Sequence, residues 1–152
     1  MTPKQFEKWL KTLGKETSEK VTRVMIEGGN KIQKEAVNTV TQNSFDTGRL
    51  ANDIQSSANI LEDVAIQVEV GCTVPYAPHV EYGTGPHTTS NGSENFKADL
   101  KIWCARHGLP FYPVYRKIVK MGIKEKPFLI PAYNKIAPRV QKALEKVLKE
   151  MK

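Results

Sequence analysis

The chain has 152 residues, enough for one domain with a core; 39% are apolar, 26% are charged, and the formal charge is +7. No run of about 18 apolar residues is present, which argues against a membrane span. Two cysteines, Cys72 and Cys104, are too few for a disulfide framework. The opening Met1-Thr2-Pro3-Lys4-Gln5 has no signal-peptide apolar core, so a reducing cytosol is the expected place of synthesis. Residues 115–152 hold eleven Lys/Arg against three Glu, whereas residues 1–114 hold twelve against thirteen acids. Such a basic segment meets nucleic acid, an acidic partner or only water.

Thr2 and Gln5 bracket Pro3 in a capping box with proline at the first helical position. Phe6, Trp9, Leu10 and Leu13 follow at helical spacing and Gly14 is a stop signal. Residues 1–14 are therefore expected as a short amphipathic helix, either core or an arm that docks on a neighbour. Thr17 or Ser18 then caps a longer helix with the stripe Val21, Val24, Met25, Gly28, Ile32, Ala36 and Val40. Gly28-Gly29 weakens it by roughly 1 kcal/mol per glycine relative to alanine, and close packing against another backbone or a kink would explain the pair.

Phe45-Asp46-Thr47-Gly48 reads as a turn. A strand is expected from about Ile54, and Val64, Ile66, Val68 and Val70 give the next strand one apolar face. Leu61-Glu62-Asp63 turns between them, and residues 74–82 can add a third strand. So few strands need a covering helix, for which the long helix is the candidate.

Residues 88–93 read as a mobile polar loop. A helix runs from about Ser93 to His107 with Phe96, Leu100, Trp103 and Cys104 on one side, and Gly108 closes it. Leu109–Pro113 is a rigid connector, and Val114–Met121 forms another helix ending at Gly122. The last helix starts near Pro131 with Ala132, Ile136, Val140, Ala143, Val147 and Met151 along one side, broadened by Leu144 and Leu148. Pro138 should kink it or mark its true start. The expected fold is α+β: a small antiparallel sheet packed against a long N-terminal helix and a C-terminal helix, with a helical insertion at 88–122, in a single domain over 1–152.

Val74-Pro75-Tyr76-Ala77-Pro78-His79-Val80-Glu81-Tyr82-Gly83-Thr84-Gly85 concentrates prolines, aromatics and polar groups in one short run. Catalytic patterns do not fit it. No G-x-S-x-G elbow surrounds any serine, and G-x-x-x-x-G-K-[ST] is absent. His79, His87 and His107 lack paired metal-ligand spacing, and a site from Cys72, His79 and Cys104 is a remote reading. A hydrolase using His79 and Glu81 ranks lowest. No enzyme, metal or cofactor is expected.

Stiff, tyrosine-bearing segments suit a subunit interface, because large side chains there lose little entropy on contact. The candidate interface residues are Tyr76, His79, Glu81, Tyr82, Pro127, Phe128 and Tyr133, with residues 74–85 meeting 127–133 in the same or a neighbouring subunit. Packing within one chain is the alternative. Arg116, Lys117, Lys120, Lys124 and Arg139, with Tyr112, Tyr115 and Tyr133 among them, are candidates for contact with DNA or an acidic partner. No zinc finger, RNP motif or helix-turn-helix spacing supports sequence-specific binding.

Three landmarks occur in order: Asp46-Thr47-Gly48-Arg49-Leu50; Val70-Gly71 leading into residues 74–85; and Lys126-Pro127-Phe128-Leu129-Ile130-Pro131-Ala132. Together they resemble the tail-component family of tailed bacteriophages typified by gene product ten of coliphage HK-ninety-seven. Members share a T-G-x-L turn, a strand, Y-A-x-x-V-E-[FY]-G-T, and a P-F-L-x-P-A run entering the last helix. The likeness spans residues from about 46 to 145, and the long helical stretch from Thr88 to Gly122 departs from shorter members.

The resemblance implies a structural virion protein of the neck, assembled in the host bacterial cytoplasm, that joins head to tail or completes the tail as a ring-forming subunit. It implies as partners further copies of itself, a head-closure or connector protein, and a tail terminator or tail-tube protein. It implies no catalytic residues. A tail-terminator role and a basic DNA-binding module are the alternatives, and the basic helices would line the DNA passage or face an acidic ring surface.

Overall fold

The computed structural model describes residues 3–43, 46–61, 65–86 and 94–150, with backbone only at 3–13, 60, 61 and 65. Helix α1 runs without interruption over Pro3–Asn43. The sequence expectation of two helices parted at Gly14 is corrected. A helix-interior glycine costs only about 1 kcal/mol relative to alanine, and good helix formers flank this one. Glycine ends a helix by taking a left-handed conformation, and Gly14 is not among the positive-φ glycines. Pro3 is the first helical residue, as expected; Thr2 and the side chains of Phe6, Trp9, Leu10 and Leu13 lie outside the described residues.

The chain divides into two compact units, Met1–Val74 with Phe128–Lys152, and Pro75–Pro127. In the first, α1 is followed by α2 (Arg49–Asp53), β1 (Gln55–Leu61) and β2 (Ala65–Gly71), and α6 (Leu129–Lys149) completes it. β1 and β2 form an antiparallel hairpin in which Ser56 faces Val70, Ala58 faces Val68 and Ile60 faces Ile66. The tip, residues 62–64, lies outside the described residues. Opposed residues share a face, so one side carries Val68, Val70 and Ile66, all half-buried where side chains are described, while Gln67 and Glu69 point to solvent.

Helix α1 covers that hairpin and also packs against α6. The expected stripe is the one buried: Gly28, Ile32, Ala36 and Val40 are inside, and Lys31 and Lys34 outside. On α6, Ala132 and Ile136 are buried at the same four-residue spacing. Gly28 meets Val140, whereas Glu35, seven residues on, pairs with Lys135 at 2.5 Å, so the two helices run antiparallel. Helix α6 continues through Pro138, which therefore does not mark its start. Pro131 stands in its first turn, where a missing N–H costs nothing. Met151 lies outside the described residues.

The second unit holds α3 (Ala77–Tyr82), α4 (Glu94–Arg106) and α5 (Phe111–Met121). The expected third strand over 74–82 is corrected: these residues enter a helix, and the described sheet has two strands. Pro78 is the second residue of α3, where the first-turn N–H groups have no intrahelical acceptor and proline's fixed φ suits the helix. The same two prolines that stiffen the segment would have removed two ladder donors from a strand.

Helix α4 follows the expected stripe, with Leu100 and Cys104 buried and Gly108 closing it at φ 64°. Ser93 and the loop 88–92 lie outside the described residues. Helix α5 begins three residues before the expected Val114, because Pro113 also fits a first turn. Gly122 ends it at φ 76°. Phe111 stacks on Tyr115 at 5.4 Å between ring centroids, and Lys101 of α4 lies 5.4 Å from the Phe111 ring. The architecture is α+β, with the two-stranded sheet and the C-terminal helix both organised on the long N-terminal helix.

Candidate functional site

The segment singled out in sequence is built on α3. Two backbone N–H groups, of His79 and Val80, converge on the Tyr76 carbonyl at 3.0 and 3.2 Å. The Lys126 N–H donates to the Val80 carbonyl at 2.8 Å. Beyond Gly83, Thr84 and Ile123 exchange backbone hydrogen bonds at 2.9 and 3.2 Å, and the Thr84 hydroxyl also accepts from the Ile123 N–H. These bonds hold α3 and residues 122–126 together in the second unit.

The glycines are required at this junction. Gly83 has φ 69°, and a Cβ there would come within 2.6 Å of the Ile123 oxygen. Gly122 has φ 76°, and a Cβ would collide with the Thr84 carbonyl. A left-handed conformation and a backbone neighbour act together, and glycine alone satisfies both.

Helical geometry changes how the candidate residues relate. On a strand, residues 79 and 81 would share a face; on a helix, positions two apart point away from each other. His79 is exposed and Glu81 is 6% exposed. The His79–Glu81 pairing on which a hydrolase would depend therefore does not form along α3. Tyr76 and Tyr82 remain on the surface, Tyr82 with 67% of its area exposed.

Pro127 and Tyr133 are exposed, whereas Phe128 is 2% exposed and spends its ring inside the fold. The 76–82 candidates belong to the second unit, and Phe128 and Tyr133 to the first. Of the basic candidates, Arg116, Lys117 and Lys120 project from α5, Lys124 follows it, and Arg139 stands on α6; all five are exposed. Among the described residues no cluster of His, Cys, Asp and Glu has the geometry to hold a metal ion, and no helix is long and apolar enough to cross a membrane.

Two features were not read from the sequence. The first is Asp53 at the end of α2. Its carboxylate accepts the N–H of Thr73, the Thr73 hydroxyl at 2.9 Å and the Val74 N–H at 2.9 Å. The Thr73 N–H, then its hydroxyl, then the Val74 N–H and the charge of Arg49 hold this carboxyl below the usual carboxylate range. Asp53 thus ties the T-G-R-L turn region to the entry of the second motif across twenty residues. No local pattern announces such a bond.

The second is an apolar groove of about 730 Å³ in the first unit, walled by α1, β2 and α6. Gly28, Gly29 and Val68 line it, with Ile130, Tyr133 and Leu144 of α6 on the other side. From the sequence, close packing against another backbone or a kink would explain the glycine pair. The neighbours are side chains, not backbone: a Cβ at 28 would come within 2.5 Å of Val140 Cγ2, and one at 29 would overlap Val68 and reach 2.7 Å from Ser56 Oγ.

Comparison with known proteins agrees with these landmarks. The family model described as "Bacteriophage HK97-gp10, putative tail-component" matches residues 4–83, from the start of α1 to the glycine that ends α3. No curated protein and no solved structure gives a significant match. The match takes in the T-G-R-L turn and the Y-A-P-H-V-E-Y-G segment, and it includes α1; it stops before Pro127-Phe128-Leu129-Ile130-Pro131-Ala132. Since it covers more than half of the chain, the protein belongs to the HK97-gp10 family of bacteriophage tail components, structural proteins of the virion.

Proposed function

We propose that this protein is a ring-forming subunit of the phage neck that joins head to tail or completes the tail. The observation that carries the reading is the display of Tyr82 on α3 and of Tyr76 just before it, on a helix clamped by the Lys126–Val80 and Thr84–Ile123 backbone bonds. Large aromatics on a rigid support are efficient contact groups, because little conformational freedom remains to be lost. A closed ring needs two different patches that match. The surface of α3 is one; the exposed Tyr133 on α6 belongs to a second. The remaining partners are a head-closure or connector protein and a tail terminator or tail-tube protein.

Exposed Arg116, Lys117 and Lys120 on α5 support a further role for this subunit, contact with DNA in the passage or with an acidic ring surface. The test is a phage carrying Tyr82→Ala. Filled heads and free tails that fail to join, with the purified variant still folded, are the expected result. Normal yields of joined particles, or virions whose necks lack this chain, would overturn the proposal. Tight DNA binding by the purified chain that falls steeply with salt, without incorporation into particles, would favour a DNA-binding module instead.

A further inference from the structure

We infer that the first three turns of α1 form an arm that docks in the α1–β2–α6 groove of a second copy. The inference deepens the ring reading above by naming a contact, and it rests on that reading.

The arm follows from the register of the first unit. Because α1 and α6 are antiparallel with Gly28 beside Val140, Lys149 at the end of α6 comes alongside about residue 19 of α1, counting equal rise along both helices. The hairpin gives the same limit. Ser56 lies beside Gly29 and Gln33 reaches the Ile54 carbonyl, so β1 runs toward the start of α1. Leu61 then falls near residue 18, at about 3.3 Å per strand residue against 1.5 Å per helical residue. Burial agrees: Gly14, Lys15, Glu16, Ser18, Glu19 and Lys20 are exposed, and partial burial becomes regular from Val21. Residues 3–13 continue the helix beyond the ends of α6 and of the described hairpin strands.

The sequence of this stretch is amphipathic, with Phe6, Trp9, Leu10 and Leu13 at helical spacing. The groove offers complementary chemistry and size. It follows α6 from Leu129 to Leu144, about 22 Å by helical rise, while residues 3–13 span about 16 Å. Ile130 and Tyr133 on its wall are 43% and 58% exposed. An amphipathic helix laid in an apolar groove is a recurrent mode of recognition. Helix α1 is itself a wall of the groove and is continuous, so its own arm cannot fold back into it. The occupant is another molecule's arm, and arm and groove are two different matching patches, the kind of pair from which a ring is built.

The test places a photo-cross-linking benzoylphenylalanine at position 9 of the full chain, with nitrogen-15-labelled and unlabelled copies mixed. Irradiation of the purified protein and of assembled particles is followed by peptide mass spectrometry. The expected product joins position 9 of one isotope to residues 129–144 of the other. Cross-links only within a copy, only to another segment or another virion protein, or absent from both samples, would overturn the inference. Leu13→Glu and Tyr133→Glu, both checked for an intact fold, should each abolish that product and raise the half-association concentration at least tenfold; an unchanged product with either overturns it. Necks that contain the chain but lack this cross-link would leave the neck reading standing, whereas necks without the chain would remove that reading itself.

Discussion

Gly28 of α1 and Val140 of α6 approach so closely that a single added carbon on residue 28 would come within 2.5 Å of Val140 Cγ2. The stiffness of a β-branched side chain leaves Val140 little room to move aside. This pair sets the depth at which the two longest helices meet.

Gly28→Ala gains helix propensity but overpacks the crossing, and the second effect is larger. The variant should lose about 1–2 kcal/mol, read as a lower denaturant midpoint. Val140→Ala in the same chain should recover most of that loss, so the double-mutant cycle should show strong coupling.

Gly14 offers the contrast. It lies in the same helix, but a Cβ there meets nothing within 4 Å. Gly14→Ala should therefore stabilise the helix by about 0.5–1 kcal/mol, visible as higher ellipticity and a higher melting temperature.

Gly122→Ala should be among the most damaging single changes in the second unit. It combines a left-handed backbone, worth about 1–3 kcal/mol of strain, with a collision at Thr84. Amide hydrogen exchange should show faster exchange at Thr84 and Ile123, whose mutual bonds the substitution would break.

Asp53 carries a pH dependence whose direction is set by its hydrogen bonds. Its folded pKa lies below the ordinary value, so its contribution is complete above the unfolded-state pKa and fades as pH falls through the lowered one. Asp53→Asn should lower the melting temperature at neutral pH, and the difference from wild type should shrink in acid. A constant difference across that range would show that the charge on Asp53 is not what matters.

Much of this protein was legible in its amino-acid order. The 3.6-residue stripe from Val21 to Val40, the alternation from Ile66 to Val70 and the glycine stops at 108 and 122 each report a local period or a local backbone angle. Local preferences of that kind survive in the fold because each is satisfied within a few residues. The family landmarks were legible for a related reason, since they are short runs read in order.

What the tertiary structure decided is different in kind. Residues 74–82 hold a helix that the Lys126 N–H on the Val80 carbonyl and the Thr84–Ile123 bonds fix in place, and that helix separates His79 from Glu81. Gly14 stayed helical because nothing around it required a left-handed turn. The Asp53 bonds to Thr73 and Val74, the groove beside Gly28 and Gly29, and the burial of Phe128 all depend on residues far apart in sequence meeting in space. Their free energy arises only after the chain has closed, so no window of neighbouring residues could contain it.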